Sequence, residues 1–378
     1  MSARSFLKSW KLGQRAALTL LLLVLALELW AFSSTDPDFY LPDPFRVVVI
    51  AIVTLVLVTG FVAWHRLRRA IRILGFLIVA CSLVLEARTR FREAGSGADR
   101  IVRTDDDVLL RYHYRPGAEV HGPGGVERVN SVGLLDAEHA IPKPADVFRI
   151  VLLTGSIAND TAIPYEERFY KRLERDLAGA VPGDKKVEVV NVSCEGYDTV
   201  QQVRFLEKVG LQYEPDLVVV GYMLTSAAIQ NGAYRRIGDS FFLFRFLPML
   251  AIARTGSICS MFAPFHDTYT FDLIVKNSLE RLDLLRRIHG FRVLVAVLPV
   301  VEEFDDPVCT RIYDKVAGVS RTVGFDTILV ADAFRGEPAL KFAKQGQRWD
   351  VCHPNVEGHH RIGDAIAGEV RHMLAGGG

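Results

Sequence analysis

Arg149-Ile150-Val151-Leu152-Leu153-Thr154-Gly155-Ser156 is a continuous apolar run broken abruptly by a small polar turn. Unbroken apolar runs of this length read as strands buried on both faces, the pattern of a parallel sheet covered by helices. The pattern then repeats. Glu166 to Leu177 follows with Phe169, Leu173 and Leu177 on one helical face. Val187 to Val192 leads into a helical stretch from Thr199 to Val209, and Asp216 to Val220 leads into a longer, less regular insertion. Ile274 to Ile288 reads as an amphipathic helix with Gly290 as its C-cap, followed by the run Arg292 to Leu298. A last run, Thr327 to Val330, precedes a loop and a terminal helix from about Val356. Five apolar runs separated by helices predict an α/β fold: a doubly wound, five-stranded parallel sheet in a three-layer, flavodoxin-like arrangement. Ligands of such sheets sit beyond the carboxyl ends of the strands, so chemistry is sought in the loops after each run.

Upstream the composition changes. Half of the 378 residues are hydrophobic, and the excess concentrates before residue 90. Ala16 to Phe32 and Val47 to Trp64 are each long enough to cross a bilayer, and Ile71 to Leu85 is a weaker third segment. Glu28-Leu29-Trp30 offers no small-residue cleavage site, so the first segment reads as a retained helix rather than a cleaved signal. Arg4, Lys8, Lys11 and Arg15 precede it and Asp36, Asp38 and Asp43 follow, which puts the N-terminus in the cytoplasm. If the third segment spans, everything beyond about Arg88 is extracytoplasmic, and in a bacterial cell periplasmic. The expected organisation is a membrane anchor over 1–87, a strand-rich connector over 88–147 with turns at Pro116-Gly117 and Gly122 to Gly125, and a catalytic domain over 148–378. Within the connector Val108 to Tyr112 is β-prone, and in the insertion Phe241 to Ala253 reads first as a buried helix. The net charge of +1 offers no basic field for nucleic acid.

Four loops carry chemistry-bearing residues. Ser156 stands at the mouth of the first strand, where its hydroxyl can reach a base and its own N–H can face a developing oxyanion. After the second run, Asn191-Val192-Ser193-Cys194-Glu195-Gly196 offers a glycine whose backbone could approach a substrate closely. Gly221 to Ser226 follows the third run, with Thr225 a candidate side-chain donor. Near the C-terminus, Asp350-Val351-Cys352-His353 places a carboxylate and an imidazole on one loop, the acid and base that a serine nucleophile needs.

This ordered set resembles the SGNH/GDSL hydrolase superfamily over roughly Arg149 to Leu374. Ile163 to Phe169 is similar to the stretch after that family's nucleophile, and His353 to His359 to its last block. The resemblance implies a catalytic triad of Ser156, His353 and Asp350, with Gly196 as an oxyanion-hole donor. It also implies a serine esterase acting on acyl esters, O-acetyl groups on carbohydrate among them, or an O-acyltransferase using the same triad. Two positions depart from the family pattern. Thr154-Gly155 stands where Gly-Asp is expected, and Thr225 takes the place of the third block's asparagine, which leaves a catalytically impaired, glycan- or partner-binding protein as a third reading.

Other signals point to ordinary roles. His359 and His360 lack the ligand cluster a metal requires, and Glu302-Glu303 with Asp305-Asp306 reads as a solvated acidic loop. No glycine-rich phosphate loop follows the first strand, so no cofactor and no metal are expected. Of the five cysteines, Cys309 and Cys352 could pair and pin the Asp-His loop, or all could be isolated buried thiols.

Overall fold

The computed structural model describes residues 102–123, 125–228, 257–301, 303–344 and 352–376. The three expected membrane segments, the Phe241 to Ala253 stretch, Glu302 and Asp350 lie outside the described residues. Among the described residues no helix is long and apolar enough to cross a membrane.

The connector folds as two antiparallel pairs. Strand β1 (Val102–Thr104) pairs with β2 (Tyr112–Tyr114), and β3 (Glu119–Gly122) with β4 (Gly125–Arg128). Gly122 opposite Gly125 closes the second hairpin at the glycine cluster where a turn is expected. Val108 to Arg111, read from sequence as β-prone, is instead a turn. The Asp107 carboxylate accepts from the Leu109 and Leu110 amides, and Arg111 takes a left-handed φ of 69°. That short side chain out-competes a strand ladder by satisfying the backbone locally.

The main sheet is parallel, in the order β6-β5-β7-β8-β9. Its strands are β5 (Val147–Leu153), β6 (Lys186–Asn191), β7 (Leu217–Tyr222), β8 (Arg292–Val297) and β9 (Asp326–Leu329). Every residue of β5 and β7 is buried, as a strand covered on both faces requires. One of them is charged. Arg149, fully buried in β5, is neutralised by Glu188 on β6 at 2.6 Å and donates to the Ala140 carbonyl at 2.9 Å. An unpaired charge there would be prohibitively costly.

Among the described residues, six α-helices of eight residues or more cover the sheet: α1 (Phe169–Asp176), α2 (Thr199–Lys208), α3 (Ile258–Asp267), α4 (Asn277–His289), α5 (Pro307–Val323) and α6 (Val356–Ala375). They form two packed groups, α1 with α6, and α2 with α4 and α5, with α3 against α5. Gly290 caps α4 in the left-handed conformation, as its position suggests. The π-helical turn Asp272–Lys276 shortens the regular part of the helix expected from Ile274.

Two of the acidic residues after β8, Glu303 and Asp306, are structural caps, while Asp305 is exposed. Glu303 accepts from the Ile258 and Cys259 amides and the Ser257 hydroxyl at the start of α3, and Asp306 caps α5. Cys309 is disulfide-bonded to Cys259, not to Cys352. Both bonded cysteines are fully buried, and the bridge joins the first turns of α3 and α5.

Candidate active site

Strand order fixes where a site can form. Strand order reverses between β5 and β7, and the loops leaving those two parallel strands open onto the crevice between them. Ser156 lies three residues beyond β5, at the head of a turn in which its carbonyl accepts from the Asn159 amide at 3.0 Å. His353, 197 residues later, reaches back over the sheet. Its Nε2 is 2.7 Å from the Ser156 Oγ, within direct proton-transfer distance. Both side chains are half-buried, so the pair is open to substrate.

The histidine's loop is anchored on its C-terminal side. Pro354 bridges to Ala343, and Asn355 caps α6 by accepting from the Gly358 amide at 3.0 Å. The same Asn355 donates its side-chain amide to the carbonyls of Lys341, at 2.8 Å, and Ala343. One asparagine thus joins both arms of the loop that presents the imidazole.

The second-strand loop comes alongside the serine. Cys194 O accepts from the Tyr197 amide, and Gly196 sits within this turn at φ 78°. A side chain is strained there, so the glycine is required by the backbone and not only by clearance. Burial raises the Cys194 thiol well above its ordinary range, which makes it an inert filler beneath the turn.

A Cβ at Gly155 would meet the Met223 sulfur at 3.3 Å and the Tyr197 carbonyl at 4.0 Å. The loops after β5, β6 and β7 therefore converge immediately beside Ser156. From the third loop it is Met223 that lies against this point, while Thr225, half-buried, belongs to the 3-10 turn Leu224–Ala227. A thioether donates no hydrogen bond, so Met223 adds an apolar wall rather than a polar contact. Thr154, the other departure, fits its surroundings. Its hydroxyl donates to the Gly221 carbonyl at 2.9 Å, and a Cβ on Gly221 would come within 2.9 Å of that same oxygen. A threonine on β5's end and a glycine on β7's end are complementary.

Beneath the site runs a buried polar network. Asn191 donates to Asn159 Oδ1 at 2.8 Å, and Asn159 donates to the Ser193 carbonyl at 3.1 Å. The Asn191 amide in turn donates to the Asp136 carboxylate at 2.7 Å, which also accepts from the Tyr165 hydroxyl at 2.6 Å. The first and second loops are thus tied to each other and to the connector. Of the two histidines that follow His353 closely, His359 accepts at Nδ1 from the Phe169 amide, and His360 lies 2.6 Å from Glu167. Burial keeps His359 neutral.

The doubly wound parallel sheet in the order β6-β5-β7-β8-β9, with a serine leaving β5 and a histidine before the last helix, is the arrangement that the resemblance to SGNH/GDSL hydrolases implies. No protein-family model matches the chain, and no curated protein matches it. Solved structures do. The psychrotrophic esterase EstA from Pseudoalteromonas sp. is 14% identical over 60% of this chain and 98% of its own, with a TM-score of 0.39. The lipase/acylhydrolase from Enterococcus faecalis is 19% identical over 60% and 96%, with a TM-score of 0.38. The acetylxylan esterase Axe2 from Geobacillus stearothermophilus is 16% identical over 61% and 96%, with a TM-score of 0.37.

Proposed function

We propose that this protein is a membrane-anchored serine esterase acting on acyl esters, with O-acetyl groups on carbohydrate as the substrate class. The observation that carries the reading is the 2.7 Å contact between Ser156 Oγ and His353 Nε2 at the carboxyl end of the sheet. In this reading His353 Nε2 takes the serine proton as Oγ attacks the ester carbonyl. The backbone N–H groups of Ser156 and Gly196 face the oxyanion, with Thr225 as a further donor. The imidazolium then protonates the departing alcohol, and water, deprotonated by the same histidine, releases the acid and restores the serine. Asp350 is assigned the third role, holding the Nδ1 proton so that Nε2 is free to accept.

In this reading the catalytic domain lies outside the cytoplasm. The buried Cys259–Cys309 bridge supports this, since disulfides persist in oxidising compartments and are rare in reducing ones. An alkaline phosphatase fusion after Arg92 tests it: an active fusion is expected, and an inactive one sinks the exported reading.

A second reading, a glycan- or partner-binding protein without turnover, is favoured by Met223 lying where a side-chain donor could have faced the serine. Fluorophosphonate labelling decides between them. The esterase reading expects covalent labelling of the wild type at Ser156 and none of Ser156→Ala. A folded wild type that stays unlabelled leaves only the binder. Adding a sugar alcohol as acceptor during ester turnover separates hydrolysis from transfer to a hydroxyl, because both share one acyl-enzyme.

A further inference from the structure

The connector does more than span a distance. Tyr112 and Tyr114 project from β2 onto the turn that carries Gly196. The Tyr112 hydroxyl donates to the Glu195 carbonyl at 2.8 Å, and the Glu195 amide donates to the Tyr114 hydroxyl at 3.3 Å. Both polar groups of the peptide residue preceding Gly196 are therefore held by one strand, 83 and 81 positions away in sequence. Tyr197 returns the contact by donating its own hydroxyl to the Tyr112 carbonyl, and the two rings meet edge to face at 5.3 Å. On the far side the turn runs directly into the capping box of α2, where Asp198 and Gln201 bind each other reciprocally. Gln201 also reaches back to the Leu110 carbonyl at 2.9 Å.

We infer that Tyr112 and Tyr114 are positioning residues that clamp the Glu195-Gly196-Tyr197 turn, setting the direction in which the Gly196 N–H points. The inference rests on the esterase reading and deepens it. A left-handed glycine has more backbone freedom than any other residue, so its N–H holds a direction only if its neighbours are fixed. Here the fixing atoms come from outside the catalytic sheet. An oxyanion donor is useful only within a narrow range of distance and angle, and a misplacement of about 1 Å can cost on the order of 100-fold in rate. The clamp thus ties turnover to a segment outside the catalytic sheet.

The test uses the full-length protein in detergent, with p-nitrophenyl acetate turnover, the rate of fluorophosphonate labelling and hydrogen exchange of the peptide covering Glu195 to Tyr197. Tyr112→Phe and Tyr114→Phe keep the rings and remove only the hydroxyls. Each is expected to lower kcat and the labelling rate about tenfold, leave KM within about twofold, and speed exchange of the turn amides about tenfold. Arg204→Gln is the control, since it removes the connector's ion pair between Asp107 and Arg204, 2.7 Å apart, without touching the turn. It is expected to leave kcat unchanged. The clamp is overturned if the tyrosine variants keep wild-type exchange and kcat, or if Arg204→Gln lowers kcat as much as they do. A wild type that neither turns over nor labels refutes the esterase reading instead, and exchange at the turn still reports on the clamp.

Discussion

The two halves of the candidate site are built differently. The serine half is embedded: Ser156 and Gly196 sit on loops joined through Asn159 and Asn191, anchored to Asp136 and gripped by two tyrosines of the connector. Among the described residues, the histidine half is held by the pairing of Pro354 with Ala343, by the Asn355 cap that follows His353, and by the ion pair of Lys344 with Asp160. Position in the first half is distributed over many buried hydrogen bonds, while among the described residues of the second the side-chain hydrogen bonds centre on Asn355. Distributed support resists single substitutions, and concentrated support does not.

That contrast can be broken or sharpened by substitution. The largest effect belongs to the reacting atoms themselves. Ser156→Ala or His353→Ala is expected to lower turnover by about 10^4-fold to 10^6-fold with the fold retained, measured as ester hydrolysis beside circular dichroism. Asp350→Asn comes next, at about 10^3-fold to 10^4-fold, because the wrong imidazole tautomer is then stabilised; a loss below tenfold would remove Asp350 from the triad. Within the supporting shells the contrast itself is at stake. Asn355→Ala removes a helix cap and two further hydrogen bonds, and is expected to cost about 1–2 kcal/mol of stability and more than tenfold in kcat. Asn159→Ala, in the distributed half, is expected to cost about 1–3 kcal/mol by leaving Asn191 and the Ser193 carbonyl without their partner, with a smaller loss of kcat. The opposite ranking of the two kcat effects would overturn the comparison.

For turnover the smallest effect is expected away from the site, where stability depends on pH. His266 is fully buried, faces the Tyr222 hydroxyl at 2.9 Å and the Phe262 carbonyl at 3.0 Å, and burial pushes its pKa down to about 4. The unfolded chain binds this proton near pH 6.5 and the folded chain only near 4. Stability is therefore fully present above about 6.5 and falls as pH drops through that window, by up to about 3 kcal/mol. Urea titrations of wild type and His266→Gln at pH 7 and pH 4.5 measure it, and the variant is expected to show the shallower decline.

The sheet was legible because buried parallel strands are unbroken apolar runs, and all five of those expected are present within one or two residues of their bounds. Ser156 and His353 were legible because each follows or precedes such an element by a fixed short interval. The supports were not. Tyr112 and Tyr114 look like any aromatic pair in a short strand, and nothing in their spacing reveals a contact some 80 residues away. Asn159 and Asn191 read as turn and strand-end residues until the loops are brought together. The Cys259–Cys309 pairing was equally hidden, since proximity of two helix starts is a tertiary fact. Met223 was overlooked beside Thr225 because hydroxyl chemistry draws attention that a thioether does not.

The Cys259–Cys309 bridge has a consequence for handling the protein. It closes a loop with a sequence separation of 50 that contains α4 and β8, so the chain between the two helix starts is a covalent ring. By chain entropy such a ring disfavours the unfolded state by about 4 kcal/mol. A protease that cuts once anywhere inside it releases nothing: the nicked protein migrates as one species without reductant and as two fragments with it.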